Sequence, residues 1–129
     1  MTAAIEHIHF LCADPEKTAG FFNTYLDAEE IERVTMPDWL IIRLRIGPAI
    51  IALSPKRGDQ VLADPPSPPY RGFSHIGLTV AAVDELVERM RADGVPVTVE
   101  PFEIAPGVRA AYVLAPDDIE LELLQPPKS

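Results

Sequence analysis

Several residue types are scarce in this chain, and each scarcity removes a class of explanation. A single cysteine, Cys12, rules out an internal disulfide and a thiolate metal cluster, and it suits a reducing compartment. No stretch approaches the ~20 uncharged apolar residues that a membrane-spanning helix requires. The opening MTAAIEHIHF has no basic segment followed by a long apolar run, so a soluble, cytoplasmic protein is expected. Basic residues number 11 against 20 acidic ones, a net charge of −9 with histidines neutral. That field repels phosphate backbones and anionic bilayers, so neither nucleic acid nor membrane is an expected partner. Histidine is rarer still: His7, His9 and His75 are all there are.

What is present is ordinary for a folded protein. Hydrophobic residues make up 47% and charged residues 24% of 129 positions, enough to bury a core without help from a metal or cross-link. Ile5 to Cys12 alternates as a strand, with Ile8, Phe10 and Cys12 on one face and His7, His9 and Leu11 on the other. Asp14 then reads as a helix N-cap with Pro15 in the first helical position, and Ala19, Phe22 and Leu26 recur at helical spacing. Glu30 to Thr35, Trp39 to Ile46 and Ala49 to Ser54 read as three strands, the last two joined at Gly47-Pro48.

After Pro55 a segment rich in proline interrupts the pattern, and then the pattern restarts. Ser74 to Val80 is a strand with His75, Gly77 and Thr79 on one face. Asp84 is expected to cap a helix that carries Leu86, Val87 and Met90 and ends at Gly94, followed by strands at Val95–Val99, Arg109–Leu114 and Ile119–Leu124. Each half has the order β-α-β-β-β. The expected organisation is a first module over 1–55, a Pro-rich linker over 56–73 that serves as a connection or a covering loop, and a second module over 74–129. The fold class is α+β: two βαβββ modules forming a cupped mixed sheet with helices on its outer face.

Superposing the halves puts His75 on His7, 68 residues apart, and Glu122 on Ala52, a further two residues out of step. Two like modules about a pseudo-two-fold axis bring equivalent positions together. Three of four inward points are then His7, His75 and Glu122, a ligand set that leaves coordination positions open on a divalent ion for substrate, water or dioxygen. Fe2+ or Zn2+ is favoured, with Ni2+, Co2+ and Mn2+ compatible. His9 shares the face of His7 and would line the pocket, holding substrate, moving a proton or bonding a neighbouring strand. Glu120 shares the face of Glu122 and is its first substitute. In WLIIRLRIG the alternation sends Trp39, Ile41, Arg43 and Arg45 to one face. Trp39 can cover an apolar substrate, and Arg43 and Arg45 can hold an anionic group or pair with surface acids. Arg109 and Tyr112 lie on opposite faces of their strand, so at most one points inward.

The runs HIHFLCADPEKTAGFFNTYLDAE, HIGLTVAAVDELVERMRADGVPV and APDDIELELLQP, in this order, resemble the vicinal oxygen chelate superfamily of glyoxalases, epimerases, extradiol dioxygenases and bleomycin-resistance proteins. The resemblance implies metal ligation by His7, His75 and Glu122. It also implies a small-molecule substrate bound through neighbouring oxygens, and a homodimer. It departs at Ala52, where glyoxalases carry a fourth ligand that can also move a proton. The first expectation is a glyoxalase-like lyase or isomerase that stabilises an enolate-like oxyanion, with Glu122 or His9 as the proton-moving group. The second is an Fe(II) extradiol-type dioxygenase, which needs only the triad. The third is a protein that sequesters an antibiotic or metabolite without chemistry.

Overall fold

In a computed structural model, which describes residues 2–128, the chain divides between Asp64 and Pro65 into two compact units. The first unit contains β1 (Ile8–Leu11), α1 (Pro15–Leu26), β2 (Glu29–Met36), β3 (Trp39–Ile46) and β4 (Ala49–Ser54). The second contains β5 (Ile76–Thr79), α2 (Val83–Ala92), β6 (Val97–Ala105), β7 (Val108–Ala115) and β8 (Ile119–Gln125). Each unit is a four-stranded mixed sheet, ordered β1-β4-β3-β2 in one and β5-β8-β7-β6 in the other. The first strand of each is parallel to the last, and the remaining pairs are antiparallel hairpins. A parallel pair needs a crossover connection, and in both units the helix lies on that connection.

The period-2 and helical patterns account for the core. Ile42, Leu44, Ile51 and Leu53 turn toward α1, where Ala19 and Phe22 meet them, and Cys12 is fully buried as a small apolar residue. In the second unit Val113, Leu121 and Leu123 are buried beneath Leu86, Val87 and Met90 of α2. α1 begins as expected: Asp14 accepts a bond from Lys17 N at 3.2 Å, and Pro15 occupies the first turn. β3 and β4 have the expected bounds, joined at Gly47, whose φ of 53° suits a residue without Cβ.

Four expectations need correction. α2 starts at Val83 with Ala82 at the cap position, so Asp84 is not its N-cap. The amide of Val83 is satisfied from outside the helix, donating to Gln125 Oε1 at 2.9 Å, which frees Asp84 to pair twice with Arg109. β6 does not stop at Val99 but continues through Pro101 to Ala105 with register shifts against β7. It lies at the sheet edge, where a residue without an amide proton is tolerated. Finally, β1 and β5 are shorter than the sequence alternation suggests. Each has a single partner in its sheet, and their ladders begin at Ile8↔Ile51 and Ile76↔Leu121. His7 and His75 therefore both stand immediately before a strand rather than within one.

The registers make the repeat explicit. β1 places His9 beside Ala52 and β3 places Arg43 beside Ala52, while β5 places Gly77 and β7 places Tyr112 beside Glu122. Leu53 and Leu123 are equivalent in this scheme, and both are fully buried. Leu53→Ala and Leu123→Ala should therefore each cost about 2–5 kcal/mol, measured as a shift of the urea midpoint with unchanged slope.

Candidate metal centre

In the second unit two ligand-type groups face each other. His75 Nε2 lies 3.4 Å from Glu122 Oε1, with the carboxylate side chain only 13% exposed. Each group has its other polar atom occupied. Ser74 Oγ is 2.9 Å from His75 Nδ1, and Tyr112 donates its phenolic hydrogen to Glu122 Oε2 at 2.8 Å. The atoms left over, Nε2 and Oε1, are the pair that face one another. Gly77 sits beside Glu122 in the ladder, where an added Cβ would already touch Oε1 at 3.7 Å, so a longer side chain would compete for the carboxylate's space.

The first unit presents the complementary arrangement. His7 Nδ1 lies 2.6 Å from Glu6 Oε1, and Glu6 Oε2 accepts a bond from Arg43 at 2.8 Å. Those two bonds hold the Glu6 carboxyl below the usual glutamate range. A carboxylate on Nδ1 orients an imidazole and raises the basicity of its Nε2, the arrangement that metal-binding histidines commonly carry. Both histidines thus have Nδ1 occupied by the side chain of the preceding residue. At the position equivalent to Glu122 stands Ala52, buried at 1% exposure, and beside it His9 takes the place of Gly77. The two units are reciprocal: a small residue under a histidine in one, a carboxylate beside a glycine in the other.

His9 is held on three sides. Its Nε2 is 2.7 Å from Ser54 Oγ, its ring stacks on Trp39 with centroids 6.3 Å apart, and the His7 ring meets it edge-on at 6.0 Å. Burial, then the charges of His7 and Arg43, push its pKa below the ordinary histidine value, so it is neutral at neutral pH. Arg57 covers the Trp39 ring at 4.6 Å, and the buried indole Nε1 has no protein acceptor among the described residues. Arg43 is committed to Glu6 and, at 3.5 Å, to Glu32, whereas Arg45 is exposed. Glu120 accepts from Thr98 Oγ1 at 3.3 Å.

The structure thus brings His75 and Glu122 together in one unit, and His7, His9, Trp39 and Arg43 together in the other. Among the described residues of the chain, no three His, Cys, Asp or Glu side chains form a metal-binding group. Tyr112, Ser74 and Glu6 support the ligand-type residues, and sequence reasoning did not assign them that role. The available signal was position: Glu6 and Ser74 each precede a histidine, and Tyr112 is to Glu122 what Arg43 is to Ala52. Arg109 belongs to the opposite face, paired with Asp84.

The family model described as Glyoxalase/Bleomycin resistance protein/Dioxygenase superfamily matches residues 4–123. The chain belongs to this superfamily. Among solved structures of similar fold, a mutant of the fosfomycin resistance protein FosX from Listeria monocytogenes, complexed with Mn(II) and a dihydroxypropylphosphonic acid, is 25% identical. The match covers 95% of this chain and 90% of that one, with a TM-score of 0.70. Glyoxalase I of Leishmania major is 23% identical over 96% of this chain and 87% of its own, with a TM-score of 0.75. A glyoxalase I mutant from Zea mays is 19% identical, with a TM-score of 0.77; the match covers 95% of this chain but only 45% of the maize one. At those identities the two glyoxalases show the shared fold. No curated protein matches the chain significantly. Among the described residues no helix is long and apolar enough to cross a membrane.

The donor set of the superfamily member suits a divalent ion: Nε2 of His75 and Oε1 of Glu122 are preset by bonds to their other atoms. The same bonds make a pH prediction. The hydrogen bond to Glu122, then burial and the nearby negative charges, raise the Tyr112 pKa above the ordinary tyrosine value. A raised folded pKa stabilises the fold fully below the unfolded tyrosine pKa, and that contribution is lost as pH climbs through the folded value. In an ultraviolet phenolate titration, Tyr112 should ionise above the ordinary tyrosine range, and Glu122→Gln should bring it back toward that range.

Proposed function

We propose that the protein is a metal-dependent enzyme in which His7, His75 and Glu122 hold a divalent ion. The proposed reaction is of the glyoxalase-like lyase or isomerase kind, on a small substrate with two neighbouring oxygens. The observation that carries this reading is the preset pair in the second unit, His75 Nε2 facing Glu122 Oε1 at 3.4 Å with the remaining donor atoms occupied. When bound, a divalent ion supplies Lewis acidity, which lowers the cost of removing a proton beside a carbonyl by several kcal/mol. Fe2+ and Zn2+ suit two imidazoles and a carboxylate, and Mn2+ joins them because a FosX relative was crystallised with it.

The residues of the chain account for the rest. Tyr112 holds the Glu122 carboxylate, and Glu6 orients His7 so that its Nε2 is presented. With Nε2 engaged by Ser54, His9 would exchange a proton through Nδ1, and its neutrality suits a base. Trp39, stacked on His9 and covered by Arg57, walls the apolar side of the site. Because Arg43 is held by two carboxylates, Arg45 is the arginine presented to an anionic group. β1 and β5, which begin directly after the two histidines, both lie at sheet edges, and edges of this kind favour pairing with a second copy. We propose a homodimer in which His7 of one copy joins His75 and Glu122 of the other.

One observation favours a second reading. Ala52 is buried beside His9, so the first unit offers no fourth ligand, and an Fe(II) extradiol-type dioxygenase needs none.

Elemental analysis of the purified protein and of His7→Ala, His75→Ala and Glu122→Ala tests the triad. Metal content should fall at least about tenfold in each variant with unchanged circular dichroism. Retention of metal in any of them refutes it. Substrate-dependent oxygen uptake would select the dioxygenase, solvent proton exchange into substrate the isomerase, and a metal-free wild type a sequestering protein. Unfolding and refolding His7→Ala together with Glu122→Ala should restore metal to the mixed dimers if the site is shared, since one intact triad then remains; no recovery means that each chain builds its own.

A further inference from the structure

The proline-rich segment after Asp64 is more than a connection. Pro66, Pro69, Tyr70 and Phe73 line a cavity of about 310 Å³, completed by side chains of β6, β7, the turn before β8 and the start of β8. Its polar groups are unbalanced. Asp118 and Glu120 contribute two carboxylates, Ser74 and Thr98 contribute hydroxyls, and no lysine, arginine or histidine lines the space.

Elsewhere on the surface Glu6, Glu16, Asp84 and Glu100 each have an arginine partner. Glu120 instead accepts from the neutral Thr98 hydroxyl, which leaves its charge uncompensated. Tyr70 and Phe73 are 47% and 51% exposed at the cavity wall. Aromatic faces beside carboxylates attract an organic cation, whose charge meets the acids and the ring quadrupoles while its skeleton meets apolar walls.

We infer that this cavity is the subsite for a positively charged, apolar group: an amine or quaternary ammonium carried on a skeleton about the size of an indole. Ser74 joins it to the chemistry, because it lines the cavity and its Oγ lies against His75 Nδ1. The substrate of the proposed metal centre would then carry chelating oxygens at one end and a basic group at the other. This last step rests on the metal reading; recognition of the cation by the cavity does not.

Equilibrium dialysis of the full-length protein against tryptamine, tryptophol and indoleacetate tests it, since the three share a skeleton and differ in charge. Tryptamine should bind at least about tenfold more tightly than indoleacetate, with tryptophol between them. The double substitution Asp118→Asn, Glu120→Gln keeps the shape, and asparagine tolerates the left-handed backbone at position 118 (φ 57°). It should abolish the charge preference. Should the double variant fail to fold, raising the salt concentration on the wild type should weaken tryptamine and leave tryptophol unchanged. His75→Ala should lose metal yet keep tryptamine. Charge discrimination in a protein without metal leaves the cavity inference standing and removes the metal reading. Equal binding of the three probes, no binding of tryptamine, or a preference surviving the double substitution overturns the inference even where metal is bound.

Discussion

The parallel pairing of first and last strands within each module decides what every other residue can do. It sets His9 against Ala52 and Gly77 against Glu122, so in each ladder one of two neighbouring positions is large and the other small. Had both been large, neither side chain would have had room; had both been small, nothing would project. Successive side chains on a strand alternate faces, and a slip of one residue would send Glu122 into the helix-facing core and turn Leu121 and Leu123 out of it. The apolar packing of α2 on Leu121 and Leu123 is therefore also what aims the carboxylate.

Electrostatics divides the two modules differently. The first spends its acids on arginines: Arg33 takes Glu16 and Glu30, and Arg43 takes Glu6 and Glu32. Such exposed pairs contribute little stability individually, but the Arg43 pair holds Glu6 against His7 and so orients a ring. In the second module the equivalent of Arg43 is Tyr112, a neutral donor, and its partner Glu122 keeps its charge available. One module positions an imidazole with ions, the other positions a carboxylate with a phenol.

Much of this was legible from residue order. The repeat could be read because helix and strand periodicities restart after the prolines, and because His75 and Glu122 fall on His7 and Ala52 with a two-residue difference that the ladders reproduce. What was not legible depends on partners distant in the chain. The strand ends at His7 and His75 follow from where a parallel neighbour begins, and Ala82 rather than Asp84 precedes α2 because Gln125, 42 residues on, supplies the acceptor. The face of Tyr112 follows from its pairing with Glu122, which local alternation alone leaves open. β6 runs past Pro101 because that strand borders its sheet, a fact about neighbours rather than about proline.

The contact from Gln125 has a mechanical side. Gln125 closes β8, the strand that carries Glu122, and its side chain is the stopper on the first turn of α2. In the first module the corresponding helix is stoppered by its own Asp14, and its first turn meets a strand through the exposed Glu16–Arg33 ion pair. In the second, the start of the helix is bonded directly to the last residue of the carboxylate-bearing strand. A change at Gln125 would therefore reach the start of α2 and the strand that carries Glu122 together.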